Sequence, residues 1–261
     1  MATSRATRIG GLILCTTLAV AAPKARQGIP VRHPEGLVHG FLILSTLQGT
    51  RLADGDLTQH QQRERVTARL SFRFKDGSRH EETAVYSQRQ QFRLITYQLK
   101  QRGPAFPRSL DVSLDAASGR VTTRYTDDGP ETTDTETLEL PADLANGMVS
   151  TLLKNVRPEA PPASLSYVAS TPGPRLVRLQ IQVAGVQNFS TGGTARKATH
   201  FVLKVKIGGF AGFVAPILGK DPPDVHVWIL GGDAPAFVRA EQPLYSGGPV
   251  WRIELTSPVW K

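Results

Sequence analysis

The sequence predicts a mainly β protein of the α+β class, with about ten antiparallel strands and one central helix. Most apolar segments alternate apolar and polar residues with period two, which is typical of strands that bury one face. Short turns such as Asp76-Gly77 join neighbouring segments, as expected for hairpins. Helical periodicity is convincing only over Pro141–Asn155. These three observations define the fold class.

The predicted helix spans residues 141–155 and carries one apolar stripe. Leu144, Met148 and Leu152 recur at i, i+4 and i+8, so they lie on one side of a helix. Asp143 is placed to cap the N-terminus. The stripe is suited to packing against a sheet.

Residues 1–21 have the features of an export signal. Arg5 and Arg8 precede an apolar run, and Ala19-Val20-Ala21 fits a small-residue cleavage site. The sole cysteine, Cys15, would leave with this segment, so the mature chain has no disulfide and no cysteine-bound metal. We therefore expect a periplasmic or secreted protein with no transmembrane segment in its mature chain.

The remaining chain is predicted to form one domain. Residues 22–34 contain three prolines and scattered basic residues, which favours a flexible leader. Residues 35–256 form a single β-rich domain, with halves 35–140 and 163–256 joined by helix 141–155. Pro158, Pro161 and Pro162 mark the boundary between the halves.

Before the helix, each predicted strand follows the previous one after a short connection. The segments with strand patterns are Gly36–Thr46, Arg65–Lys75, Arg79–Arg89, Phe92–Lys100, and the two short runs around Val112 and Thr123. In Arg65–Lys75 the apolar residues share one face and basic residues share the other.

The basic faces raise the question of an anionic partner. The chain carries a formal net charge of +9, but the acidic stretch Leu110–Ser150 follows the basic stretch Arg51–Arg108. Neighbouring segments of opposite sign favour pairing between strands over a nucleic-acid surface. The candidate anion-binding residues are Arg69, Arg73, Arg89 and Arg93. The competing interpretation is a solvated outer face balanced by acidic neighbours.

After the helix the strand pattern resumes around an unusual loop. The predicted strands are Leu176–Val183, His200–Ile207, Val225–Leu230, Phe237–Glu241 and Pro249–Thr256. The loop Gly208–Pro222 is apolar yet rich in glycine and proline, and it contains Phe210 and Phe213. It is a lid over a hydrophobic cavity, a membrane-touching tip, or a loop packed on the core.

Catalytic and metal-binding motifs are absent from the sequence. No G-x-S-x-G elbow occurs, and His80-Glu81-Glu82 is not H-E-x-x-H, although His80 and Glu82 share one face of a strand. His200 and His226 are too isolated in the sequence to predict a metal site. We assign no catalytic residue, metal or cofactor, and an unrecognised hydrolase remains an alternative.

Two stretches carry a family resemblance: the helix LPADLANGMVSTLLKN and the segment VHVWILGGDAPAFVRAE, followed by GGPVWRIEL. The chain resembles uncharacterised secreted bacterial envelope proteins and, more distantly, the lipoprotein-localisation carrier superfamily. The resemblance implies a curved antiparallel sheet or half-barrel that wraps an apolar cavity plugged by helix. It implies no catalytic residues.

The leading functional prediction is therefore a non-enzymatic exported protein that binds a lipid-like or amphipathic ligand between sheet and helix. The alternative is an envelope scaffold that binds an anionic partner through its cationic strand faces. The predicted cavity residues are Leu144, Met148, Leu152, Phe72, Phe210, Phe213, Trp228 and Trp251.

Overall fold

A computed structural model describes residues 28–127, 129–169, 171, 173–191, 194–206 and 222–256. The predicted export signal at residues 1–21 lies outside the described residues, as do Phe210 and Phe213. The strands of the first half are β1 Val38–Thr46, β2 Arg51–Gln62, β3 Arg65–Phe74, β4 Arg79–Gln88, β5 Phe92–Arg102, β6 Ser109–Asp115, β7 Arg120–Thr126 and β8 Thr132–Thr137. Helix α1, Val149–Asn155, follows, and then β9 Ser164–Ala169, β10 Arg175–Thr191, β11 Thr194–Lys206, β12 Val225–Leu230, β13 Ala236–Gln242 and β14 Trp251–Thr256.

All fourteen strands form one antiparallel sheet, in the order β8-β7-β6-β5-β4-β3-β2-β1-β14-β13-β12-β11-β10-β9. The first and last strands pair at its centre, where Phe41 lies opposite Thr256. Each half of the chain therefore extends away from β1 and β14 as a series of hairpins. Over the described residues, this confirms a mainly β, antiparallel fold with one short helix.

The predicted number of about ten strands was too low, because three strands lack an alternating apolar pattern. In β2, the face turned to the interior carries Ala53, Gly55 and Gln59. Gly55 is required there because a Cβ would lie 2.5 Å from the Phe72 ring of β3. A strand that accommodates a large neighbour with small residues shows no apolar periodicity.

The other two missed strands, β8 and β9, lie at the sheet edges. Strand β8 is almost wholly exposed and consists of Thr, Asp and Glu, which suits an edge that resists further pairing. Strand β9 is covered by the segment before the helix: Leu144 forms a parallel bridge with Ser166, and the Ala145 amide donates to the Ser166 carbonyl at 2.9 Å. The chain thus protects both edges in different ways.

Helix α1 begins at Val149, so the prediction of a helix from Pro141 was wrong. Gly147 has φ +67°, which interrupts a right-handed helix. A Cβ at Gly147 would also lie 2.8 Å from the Cβ of Ala84. The periodic apolar residues before it are buried, but in extended and turn conformations.

Asp143 does not cap the helix. Its buried carboxylate accepts a hydrogen bond from the Ser166 hydroxyl at 2.6 Å and lies 3.4 Å from the guanidinium of Arg178. A buried carboxylate needs such partners, because an unpaired charge in the interior is costly. Asp143 therefore anchors the segment before the helix to β9 and β10.

The described part of the predicted leader, residues 28–34, packs on the domain. Ile29 is buried and its carbonyl accepts from the Phe92 amide at 2.8 Å. The amides of Arg32 and His33 both donate to the side-chain oxygen of Asn155 at the end of α1, at 2.8 and 2.7 Å. These contacts hold residues 28–34 against the domain and the end of the helix.

The helix packs on one face of the sheet, the inner face, and contacts both halves of the sheet. Its Thr151 hydroxyl lies 3.2 Å from the amide nitrogen of Gln59 in β2 and 3.4 Å from the phenol of Tyr86 in β4. The helix also contacts β12 and β13. Among the described residues, no helix has the length and apolar character needed to span a bilayer.

Leu152 tests how far the fold depends on this packing. It is 1% exposed at the centre of α1, so we expect Leu152→Ala to lower the free energy of unfolding by about 2–5 kcal/mol, through lost burial and the cavity left behind. Urea denaturation followed by circular dichroism measures this change. The control Leu37→Ala, at a side chain 84% exposed, should change stability little. Equal effects of the two variants would contradict the buried position of the helix.

Candidate functional site: a cavity within the sheet

A cavity of about 1030 Å³ lies on the inner side of the sheet. Its walls come from both halves of the chain: Leu57 and Leu99 belong to β2 and β5, whereas Leu179, Val205 and Val225 belong to β10, β11 and β12. Along each strand these residues alternate with residues of the outer face. The inner apolar face of the sheet is therefore only partly covered by the helix.

The start of α1 forms one wall of the cavity. Gly147, Val149 and Ser150 border it, whereas Leu152 and Leu153 are buried within the core beside it. The positive φ of Gly147 brings the backbone against Ala84 and Tyr97, where a side chain would not fit. The cavity therefore lies beside the N-terminal end of the helix.

The loop between β13 and β14 crosses the cavity and meets the opposite half of the sheet. Its Leu244 carbonyl accepts a hydrogen bond from the Gln101 amide nitrogen of β5 at 2.7 Å. Tyr245 packs edge-on against Phe106 and Trp251, with ring centroids 5.9 and 6.0 Å apart. This loop fixes the distance between the two halves at that end.

A buried chain of polar groups leads from this loop to the cavity wall. The Gln101 amide nitrogen also lies 3.0 Å from Nδ1 of His80, and His80 Nε2 lies 3.0 Å from a carboxylate oxygen of Glu82. His80 is 1% exposed, whereas Glu82 is 19% exposed and borders the cavity. The sequence placed His80 and Glu82 on one face, and the structure brings them into contact.

Two phenols in the interior are perturbed by their surroundings. Burial raises the pKa of Tyr167 above its ordinary value; the nearby Glu82 carboxylate raises it further, and a hydrogen bond with Tyr97 lowers it. Burial also raises the pKa of Tyr86, opposed by its hydrogen bond with Thr151. Tyr167 borders the cavity and Tyr86 lies behind it, beside the helix.

The predicted cavity residues surround the cavity without lining it. Leu144, Met148, Leu152 and Phe72 are buried in the main core, and Trp251 packs there against Phe74. These five side chains support the walls from behind. The loop Gly208–Pro222, with Phe210 and Phe213, lies outside the described residues except for Pro222, which borders the cavity.

Trp228 lies on the outer face of the sheet. It alternates along β12 with Val227, which faces the cavity, and it forms a second small cluster with Leu230 and Val238. The guanidinium of Arg239 lies 5.6 Å from its ring centroid. An aromatic residue in a strand cannot be assigned to a face from its identity alone, because both faces of β12 carry apolar residues.

Sequence reasoning missed the residues that do line the cavity, among them Leu57, Glu82, Tyr167 and Leu179. The alternating pattern of β10 does place Leu179 on an apolar face. The pattern cannot separate side chains that border a void from those that contact other side chains. That distinction depends on contacts between strands that are distant in the sequence.

The cationic outer face is partly neutralised by acidic neighbours. The guanidinium of Arg73 lies 3.3 Å from the Asp56 carboxylate, and Arg89 lies 3.6 Å from Glu64. Arg93 donates to the Gln91 side chain at 3.2 Å. Arg69 is exposed between Thr58 and Thr83 of the adjoining strands. Three of the four candidates therefore have side-chain partners within the protein.

His200 and His226 also meet on the outer face, with Nε2 of the first 2.9 Å from Nδ1 of the second. The His200 ring stacks on Trp228, with centroids 4.2 Å apart. Burial, followed by the nearby His226, lowers the pKa of His200, and Glu241 raises it. Within the described ranges, no three or more His, Cys, Asp or Glu side chains are grouped as metal ligands.

Comparison with protein-family models, with curated proteins and with solved structures finds no match to this chain.

The buried phenols predict a characteristic alkaline titration. Tyr86 and Tyr167 should keep their protons above pH 10 for as long as the fold is intact, because burial raises their pKa values from an ordinary value of 10.0. Above pH 10 the unfolded chain binds fewer protons than the folded chain, so rising pH should lower the free energy of unfolding. Near-ultraviolet absorbance and circular dichroism, recorded together, measure both effects.

The variants Tyr86→Phe and Tyr167→Phe identify the phenols that ionise only when the protein unfolds at alkaline pH. Each should reduce the absorbance change that accompanies alkaline unfolding by one phenol. Ionisation of all five tyrosines of the chain while the fold is intact would contradict the burial of these two side chains.

Proposed function

We propose that this protein is a non-enzymatic exported carrier that binds a lipid-like or amphipathic ligand in the cavity between the sheet and the start of α1. The observation that supports it most is the cavity itself, of about 1030 Å³ and with leucine and valine walls drawn from both halves of the sheet. Ligand pockets in proteins commonly occupy about 300–1,000 Å³ and are mostly apolar. Export remains a prediction from residues 1–21.

The proposal includes a sheet that is curved into a half-barrel. Tyr97 in β5 and Tyr167 in β9 are hydrogen-bonded, although their strands are ten positions apart in the sheet order. A flat sheet would separate such strands by about 48 Å. The hydrogen bond between Gln101 of β5 and the Leu244 carbonyl after β13 supports the same curvature.

An acyl or alkyl chain is the occupant that the walls favour. Each methylene that leaves water for an apolar site contributes about 0.8 kcal/mol, so a long chain gains several kcal/mol without any specific contact. Protein interiors otherwise contain few voids larger than a water molecule. An apolar space of this size is therefore better explained by a guest than by imperfect packing.

Fluorescent-dye binding tests the proposal. N-phenyl-1-naphthylamine, a neutral apolar dye, should bind with a rise in fluorescence and be displaced by dodecanol. Val205 is half-buried and borders the cavity, so Val205→Trp should weaken dye binding by about tenfold or more, because the indole occupies space that the dye needs.

The matched control is Val186→Trp. Val186 lies on the adjoining strand β10 but is 62% exposed and does not border the cavity, so this variant should bind the dye as the unaltered protein does. Absence of dye binding by the folded protein, or equal weakening by both tryptophans, would refute a ligand site in the cavity.

A further inference from the structure

In the described part of the cavity wall, one charged group is half-buried. Of the described residues that line it, Glu82 and Arg175 carry charges. Arg175 is exposed at the start of β10, where water screens its charge. Glu82 lies between Leu70 and Leu99 of the adjoining strands, which both border the cavity as well. A carboxylate is therefore presented to a mostly apolar space.

The hydrogen bonds behind Glu82 determine the protonation of its partner. The Gln101 amide nitrogen must face the Leu244 carbonyl, because an amide oxygen at 2.7 Å would place two acceptors together. The same nitrogen lies 3.0 Å from Nδ1 of His80, so Nδ1 accepts a hydrogen bond and bears no proton. His80 is thus the neutral tautomer, whose Nε2–H donates to Glu82 at 3.0 Å.

A neutral His80 leaves the negative charge of Glu82 uncompensated. Within the described part of the chain, His80 is the basic residue found within 4 Å of this carboxylate, and no Lys or Arg pairs with it. Asp56 on the outer face, by contrast, has a cationic partner in Arg73. A buried or half-buried carboxylate without a cation is unfavourable unless another group supplies the charge.

The surroundings of Glu82 suit an ammonium group. Tyr167 lies close enough for the Glu82 carboxylate to raise its pKa, and Tyr97 is hydrogen-bonded to Tyr167. Carboxylates and aromatic side chains together are the groups that proteins use to bind organic ammonium ions. The His80–Gln101–Leu244 chain holds the carboxylate in place, so little rearrangement is needed on binding.

We infer that the cavity is specific for cationic amphiphiles, with the ligand ammonium paired to Glu82 and its alkyl chain along the leucine and valine walls. The inference rests on the proposed carrier function and names the ligand class. Glu82 is the residue that determines this specificity, and His80 and Gln101 position it.

Competitive displacement of N-phenyl-1-naphthylamine tests the inference. Dodecylamine, dodecanol and dodecanoate, which share one chain and differ in head-group charge, are compared below their micelle-forming concentrations at neutral pH. Dodecylamine should displace the dye at about one tenth of the dodecanoate concentration or less, because its ammonium gains a charge-assisted hydrogen bond and dodecanoate is repelled.

Glu82→Gln keeps the size of the side chain and its acceptor for His80 but removes the charge. This variant should reduce the difference between amine and carboxylate by about tenfold. The matched control is Glu81→Gln, since Glu81 is the adjacent residue and is exposed on the outer face. It should preserve the amine preference.

Each result separates the inference from the carrier function. If the dye does not bind, both fail. If the dye binds but dodecanoate displaces it as well as dodecylamine does, the carrier function stands and the cationic specificity is refuted; a preference for dodecanoate would assign the head-group site to Arg175. An amine preference that survives Glu82→Gln also overturns the inference. If Glu82→Gln does not fold, the ranking of the three ligands with the unaltered protein still decides it.

Discussion

The pairing of residues 143–146 with strand β9 is the constraint on which the interior depends. The side chain of Asn146 donates to the Val168 carbonyl and accepts from the Val168 amide, both at 2.9 Å, and Asp143 binds Ser166 beside them. These groups are buried, so each lost partner would carry a desolvation cost of about 1–3 kcal/mol. The segment therefore has one register on β9, and that register fixes where α1 begins.

With its start fixed in this way, α1 is too short to fill the inner side of the sheet. It has seven residues and ends at Asn155, whose side chain receives the amides of Arg32 and His33. A continuous helix from Pro141 would cover more of the inner face, but Gly147 and the β9 pairing prevent it. The cavity borders Gly147 and Val149, where such a helix would continue toward its N-terminus. The unfilled space thus follows from local backbone constraints, not from a shortage of apolar residues.

The sequence predicts the strands in which apolar and polar residues alternate. It misses strands whose small residues accommodate large side chains of a neighbouring strand. Val225–Leu230 is a strand with the predicted bounds, because both of its faces are apolar and turn residues flank it. Strand β2 is hidden because Gly55 and Ala53 make room for large side chains of β3. The helix was predicted too long because the spacing of Leu144, Met148 and Leu152 is satisfied by buried turns as well as by a helix. Periodicity reports which residues are buried more reliably than which conformation buries them.

The cavity residues could not be predicted from the sequence for a related reason. Part of the environment of Glu82, however, could be predicted. Period two places His80 and Glu82 on one face of β4, and their adjacent partners Phe72 and Leu70 identify it as the inner face. Gln101 lies two residues after Leu99 in β5. The alternation does not show that the Gln101 side chain contacts His80, nor that the Leu244 carbonyl orients the Gln101 amide. Those two groups decide that Nδ1 of His80 accepts a hydrogen bond, so within the described part of the chain Glu82 has a neutral hydrogen-bond donor and no cation as its partner. A histidine with Nδ1 free to bear a proton would form a closed ion pair with Glu82, and the cavity would then present a neutral wall. The electrostatic character of the inner face therefore depends on one backbone carbonyl in the loop between β13 and β14, which joins the two halves of the sheet.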